Sequence, residues 1–238
     1  MKTTLPDIRR QLHTAASVEQ AANLQRFFKT GPGQYGAGDV FLGIKVPPIR
    51  RLVPSGDEMA LAEVCELLHS RYHEERLLAL LILVRRFQRS EPPMQQKIFE
   101  LYLRETRYIN NWDLVDLSAP QIVGGWLLIR PRKLLDDLAR SELLWERRIA
   151  VLATFTFIRH GQFDDTLRLC ERLLNDPHDL MHKACGWMLR EVGKREVVVL
   201  SAFLEQHALA MPRTMLRYAI ERYPETQRQA WLRVKPAA

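Results

Sequence analysis

Trp112 and Asp116 stand one helical turn apart in NNWDLVDLSAPQIVGGW, residues 110–126, an indole and a carboxylate in a segment otherwise rich in apolar residues. A buried carboxylate without a partner is costly, so one kept among Leu114, Val115, Leu117 and Ala119 has either a basic partner or a task. The chemistry that suits such a pair is stabilisation of positive charge. The carboxylate acts through its field, which strengthens where water is scarce, and the indole through its electron-rich face. A tryptophan on a helix is ordinarily core, and that reading stays open for Trp112 and Trp187; Trp126, Trp145 and Trp231 are expected in the core.

Two further groups could contact phosphates. Trp187, Arg190 and Lys194 follow one another at i, i+3 and i+7 in GWMLREVGK, placing cations beside an indole as contacts to a base and its flanking phosphates require. A solvated helix end, where cations favour the dipole, would look the same. Arg213 and Arg217, four apart in MPRTMLRYAIERY, lie near a helix start, where with Thr214 and free backbone N–H groups they could hold a backbone phosphate.

Other chemistries find less support. His178 and His182 have the i, i+4 spacing of helical metal ligands, but no third ligand accompanies them and no metal is expected. The glycines of TGPGQYGAGD fit no phosphate-binding loop. Cys65, Cys170 and Cys185 are odd in number, widely spaced and set among apolar residues, which reads as buried free thiols.

These residues must be carried by helices. Apolar residues recur at helical spacing in MALAEVCELLHSRY, EERLLALLILVRRF and TLRLCERLLN, and no alternating strand pattern is present. An all-α fold follows, with helices of about 10 to 18 residues opened or closed at Pro47, Pro48, Pro92, Pro93, Pro131, Pro177, Pro212 and Pro224. Residues 29–40, with four glycines and a proline, are expected to form a loop. Segments beginning at 72, 108, 144 and 179 align at intervals of 36, 36 and 35 residues. That period marks a superhelical solenoid of antiparallel helical repeats of the HEAT or armadillo kind, forming a single domain over residues 1–238. In its register Trp112, Arg148 and Lys183 are equivalent, as are Asp116, Leu152 and Trp187 one turn later. Trp112, Asp116, Arg148 and Trp187 are therefore expected on one wall, with Arg148 in register to pair with Asp116.

The chain of 238 residues needs no disulfides or metals to fold. Lys and Arg number 35 against 28 Asp and Glu, a net charge of +7 that admits a polyanionic partner. No apolar run spans a bilayer and the first residues carry no secretory signal. A cytoplasmic protein is the expectation.

The segments FLGIKVPPIRRL at 41–52, NWDLVDLSAP at 111–120, LLWERRIAVLATF at 143–155, HKACGWMLREVGK at 182–194 and RTMLRYAIERY at 213–223 together resemble the AlkD family of DNA alkylation repair glycosylases. The resemblance implies a HEAT-like solenoid whose concave, basic face holds duplex DNA. It further implies Asp116 as the active-site carboxylate, Trp112 and Trp187 as cleft indoles and Arg148 as the cleft arginine. The family tends to have a tyrosine near Phe27, and the glycine-rich loop is longer here than in the family pattern. The implied activity is excision of N3- or N7-alkylpurines from double-stranded DNA by a monomer with no cofactor. The alternative is a non-catalytic HEAT-like module recognising distorted or branched DNA.

Overall fold

A computed structural model describes residues 4–234. Among these the secondary structure is helical, with no strand; an isolated parallel bridge joins Val40 and Tyr72. No helix among them is long and apolar enough to cross a membrane. The helices belong to two compact units, one up to Ile122 and one from Val123 onward.

The first unit contains α1 (Leu5–Thr14), α2 (Val18–Phe27), α3 (Val46–Leu52), α4 (Leu61–Leu68), α5 (His73–Arg89), α6 (Pro92–Arg104) and α7 (Trp112–Ala119). Its centre is α5, packed by α3, α4, α6 and α7. Residues Leu77–Leu83 are all buried, which is why LLALLIL presents no polar face. The glycine-rich stretch is a loop, as its composition requires. Gly43, three residues beyond it, has φ 83° and lies so close to α2 that a Cβ would sit 2.0 Å from the Ser17 carbonyl oxygen. Pro120 ends α7, having no N–H to give the Asp116 carbonyl, and residues Pro120–Gly124 form a π turn.

The second unit contains α8 (Gly125–Leu127), α9 (Lys133–Ala139), α10 (Leu144–Arg159), α11 (Asp164–Arg172), α12 (Asp179–Gly193), α13 (Val197–His207), α14 (Arg213–Ala219) and α15 (Glu225–Arg233). The pairs α9/α10 and α11/α12 pack together, and α12 packs against α10 and α14. Gly186 permits the α12–α14 approach, since a Cβ there would lie 2.5 Å from the Met215 carbonyl oxygen.

The four segments of the sequence period are α5, α7, α10 and α12, each preceded by a partner helix. Prolines open helices as expected: Pro47 and Pro48 in α3, Pro92 and Pro93 in α6, with Pro212 and Pro224 as the N-caps of α14 and α15. The expected lengths need correction. α5 has 17 residues, but α3, α9 and α14 have only 7, because a helix held by packing on one face needs no length of its own.

Candidate functional site

In the first unit the start of α7 is tied down by a buried polar network. Asn111, fully buried, caps the helix by accepting from the Trp112 backbone N–H at 2.9 Å and donates through Nδ2 to Asp39 Oδ2 at 3.1 Å. Asp113 lies on the other side of the same network, its Oδ2 2.8 Å from His73 Nε2, while His73 Nδ1 is 3.2 Å from Asp39 Oδ2. Arg76 completes it, donating to Asp39 Oδ1 at 2.6 Å. Burial by itself would lower the His73 pKa, but the Asp113 and Asp39 carboxylates push it up to about 9 against the opposing Arg76 charge. The ring is therefore an imidazolium at neutral pH. Asp39 is held below the ordinary carboxylate range: burial raises its pKa, and His73, Arg76 and Asn111 outweigh that.

His73 also ends the stack of rings that seats Trp112. Its ring stacks on buried Phe28 at 5.1 Å and 20°, Phe28 stacks on Phe41 at 5.0 Å, and Phe41 stacks on His73 at 4.5 Å. Phe27, 63% exposed, meets the indole edge-on at 6.0 Å. Trp112 is thus half-buried, supported on one face and bordered by an exposed phenyl ring.

Asp116 follows one turn later and is also half-buried. Leu114 and Val115 beside it are fully buried. Tyr102, fully buried, bonds Ser118 at 2.9 Å, and its phenol is held above its ordinary pKa by burial, with the Asp116 charge adding to the rise and Ser118 opposing it. The Asp116 carboxylate is therefore felt by a phenol in the low-dielectric layer beneath it, the setting in which a charge acts most strongly.

In the second unit Trp187, Arg190 and Lys194 do gather, around an acid that the cation pattern obscured. Glu191 Oε1 accepts from Trp187 Nε1 at 3.1 Å and from Lys194 Nζ at 2.7 Å, and lies 3.8 Å from Arg190 Nε. Arg190 also pairs with Glu221. The cationic flank expected beside Trp187 is thus largely neutralised locally. Glu191 was legible as the residue four beyond Trp187. Phe155 lies against the half-buried indole at 5.9 Å.

Arg148 is only 5% exposed, and its Nη1 donates to the Leu180 carbonyl at the start of α12 at 2.7 Å. A guanidinium so placed helps to brace α10 against α12. Arg213 and Arg217 are exposed, Arg213 donating to the Leu232 carbonyl at 2.8 Å. Thr214 is engaged by the Asp179 carboxylate, whose pKa is lowered chiefly by Lys183 and further by Thr214, against the effect of burial.

His178 caps α12 through Nδ1, accepting from the Leu180 N–H at 3.1 Å, and His182 Nε2 lies 2.6 Å from the Asp176 carbonyl. Cys170 and Cys185 are buried free thiols, but Cys65 is only half-buried and lines a cavity. Trp126, Trp145 and Trp231 are half-buried and not core; Arg130 stands over the Trp126 ring at 3.5 Å.

Paired helices, with an indole and carboxylate on one and a second indole among ion pairs on another, make this a basic, all-helical repeat protein. A sequence profile of the DNA alkylation repair enzyme family matches residues 8–223, and the chain belongs to that family. Its fold is similar to that of a solved structure described as a predicted DNA alkylation repair enzyme from Enterococcus faecalis, with a TM-score of 0.68 at 17% identity over 88% of this chain and 97% of that one. No curated protein matches the sequence.

Proposed function

We propose that this protein is a monofunctional DNA glycosylase that excises positively charged N3- or N7-alkylpurines from duplex DNA. The observation that carries the reading is the half-buried Asp116 carboxylate one turn from half-buried Trp112, on a helix whose first residues are locked by the His73 network. A cationic alkylpurine leaves without a general acid. The C1′–N bond breaks, its electron pair neutralises the base, and a water oxygen bonds to C1′ while the water proton passes to the carboxylate or to solvent.

Asp116 would stabilise the positive charge that grows on the sugar and orient the attacking water. Trp112 and Trp187 would offer π-faces to the cationic base or the sugar, a contact a neutral nucleotide gains less from. Lys194, Arg190, Arg213 and Arg217 would meet phosphates, making binding salt-dependent. No lysine stands at the Asp116 position to attack the sugar, so strand cleavage is not part of the reading. No cofactor is needed.

The test is release of free N7-methylguanine from a defined duplex under single-turnover conditions, wild type beside Asp116→Asn. Release by wild type alone, with the variant still binding DNA as tightly or more so, supports the assignment. Equal release by both overturns the role of Asp116. DNA binding without release by either protein points to the non-catalytic module.

A further inference from the structure

We propose that Cys65, His69 and Glu105, in the first unit, form a binding site for a divalent transition metal, zinc by the chemistry of the ligands. The three offer sulfur, imidazole nitrogen and carboxylate oxygen, with ligand atoms all within 4.8 Å of one another. Cys65 and His69 are spaced i, i+4 at the C-terminal end of α4, which brings Sγ to 3.4 Å from Nε2. Glu105, just beyond α6, reaches the same nitrogen with Oε2 at 2.8 Å.

The geometry is near what zinc requires. Bonds of about 2.0 to 2.3 Å at tetrahedral angles hold ligand atoms roughly 3.3 to 3.8 Å apart. The sulfur–nitrogen separation is already there, and the nitrogen–oxygen pair must open by about half an ångström as the metal replaces the proton between them. The ligands are also supported, as metal ligands commonly are. The Tyr108 ring stacks on His69 at 4.1 Å and 29°, and Arg104 Nε donates to Glu105 Oε1 at 2.9 Å.

An ion has a way in. Cys65 and His69 line a cavity of about 570 Å³, together with Leu61 and Leu101. Its charged lining is balanced, Glu66 and Glu100 offsetting Lys97 and Arg104 in net charge. Three protein ligands leave a fourth position for water. Occupancy would tie the end of α4 to the segment that runs from Glu105 into the start of α7, and so add to the bracing of Trp112. The spacing of Cys65 and His69 is the one weighed for His178 and His182, whose ring nitrogens are instead engaged by backbone groups.

The experiment is titration of the chelator-stripped full chain with Co2+, followed by competition with Zn2+. One equivalent of Co2+ is expected to give a sulfur-to-cobalt charge-transfer band that Zn2+ abolishes. The band should vanish in Cys65→Ser, and the apparent affinity should fall by at least about 10-fold in His69→Gln. Zn2+ should raise the thermal midpoint of the wild type and leave that of Cys65→Ser unmoved. Absence of a thiolate band in the wild type overturns the proposal whether or not the variants fold. A band that survives in Cys65→Ser also overturns it, because the sulfur would then be Cys170 or Cys185. None of these readouts depends on base excision.

Discussion

His73 Nε2 lies 2.8 Å from Asp113 Oδ2, joining the first residue of α5 to the first turn of α7 across 40 positions of sequence. With Asp39 on its other nitrogen the ring is a buried cation between two carboxylates. Removing one member of such a group leaves buried charge uncompensated, which costs about 3–5 kcal/mol. His73→Ala should lose that much stability in urea unfolding; a loss below about 1 kcal/mol would mean that the network contributes little to folding.

The same ring makes stability depend on pH. Its folded pKa, raised to about 9, lies above the roughly 6.5 of the unfolded chain. The stabilisation is therefore complete below about pH 6.5 and is lost as pH rises through 9, a change on the order of 3 kcal/mol. Asp39 acts oppositely: its depressed pKa gives stability present above its unfolded value and lost in acid. The stability difference between wild type and His73→Ala should shrink between pH 6.5 and 9; a difference constant over that range would show that His73 is not charged.

The contrast between what could and could not be read from sequence follows from these contacts. Helical periodicity, the prolines at helix starts and the loop at 29–40 are local signals, and the helices appear where they point. Trp112 and Asp116 stood out because polar or bulky types interrupted an apolar pattern. The His73 network did not, because Asp39, His73 and Asp113 lie 34 and 40 positions apart and HEER at a helix start looks like an ordinary polar first turn. Yet His73, Glu74, Glu75 and Arg76 are all buried. Glu74 alone accepts three backbone N–H groups, from Leu42, Gly43 and Ile44, so the turn anchors the segment that follows the glycine-rich loop.

Phe27 should matter for DNA and little for folding. It is 63% exposed and borders the Trp112 indole. Phe27→Ala should change stability by less than about 0.5 kcal/mol while weakening single-turnover excision or lesion binding. Unchanged excision with unchanged affinity would show that the phenyl ring plays no part in recognition.

Glu191 restrains the positive charge of α12. It accepts from Trp187 and Lys194 and faces Arg190. Glu191→Gln should release these cations to phosphate, raising DNA affinity and steepening the salt dependence by about one counterion. If affinity falls instead, the indole N–H bond to Glu191 is what orients Trp187 for binding.

Arg148 offers the sharpest distinction between a structural and a DNA-contacting cation. As a phosphate contact, its loss would reduce the salt slope of binding by about one. Its 5% exposure and the 2.7 Å bond from Nη1 to the Leu180 carbonyl point to a part in holding α10 to the start of the helix that carries Trp187. Arg148→Ala removes that charge-assisted hydrogen bond and the packing of the buried guanidinium, a loss of about 1–3 kcal/mol. The expected result is a lower denaturation midpoint, slower excision through a less well held Trp187, and a salt slope equal to that of the wild type. A reduced slope with unchanged stability would return Arg148 to the DNA-binding surface, because a side chain that contributes only packing releases no counterions.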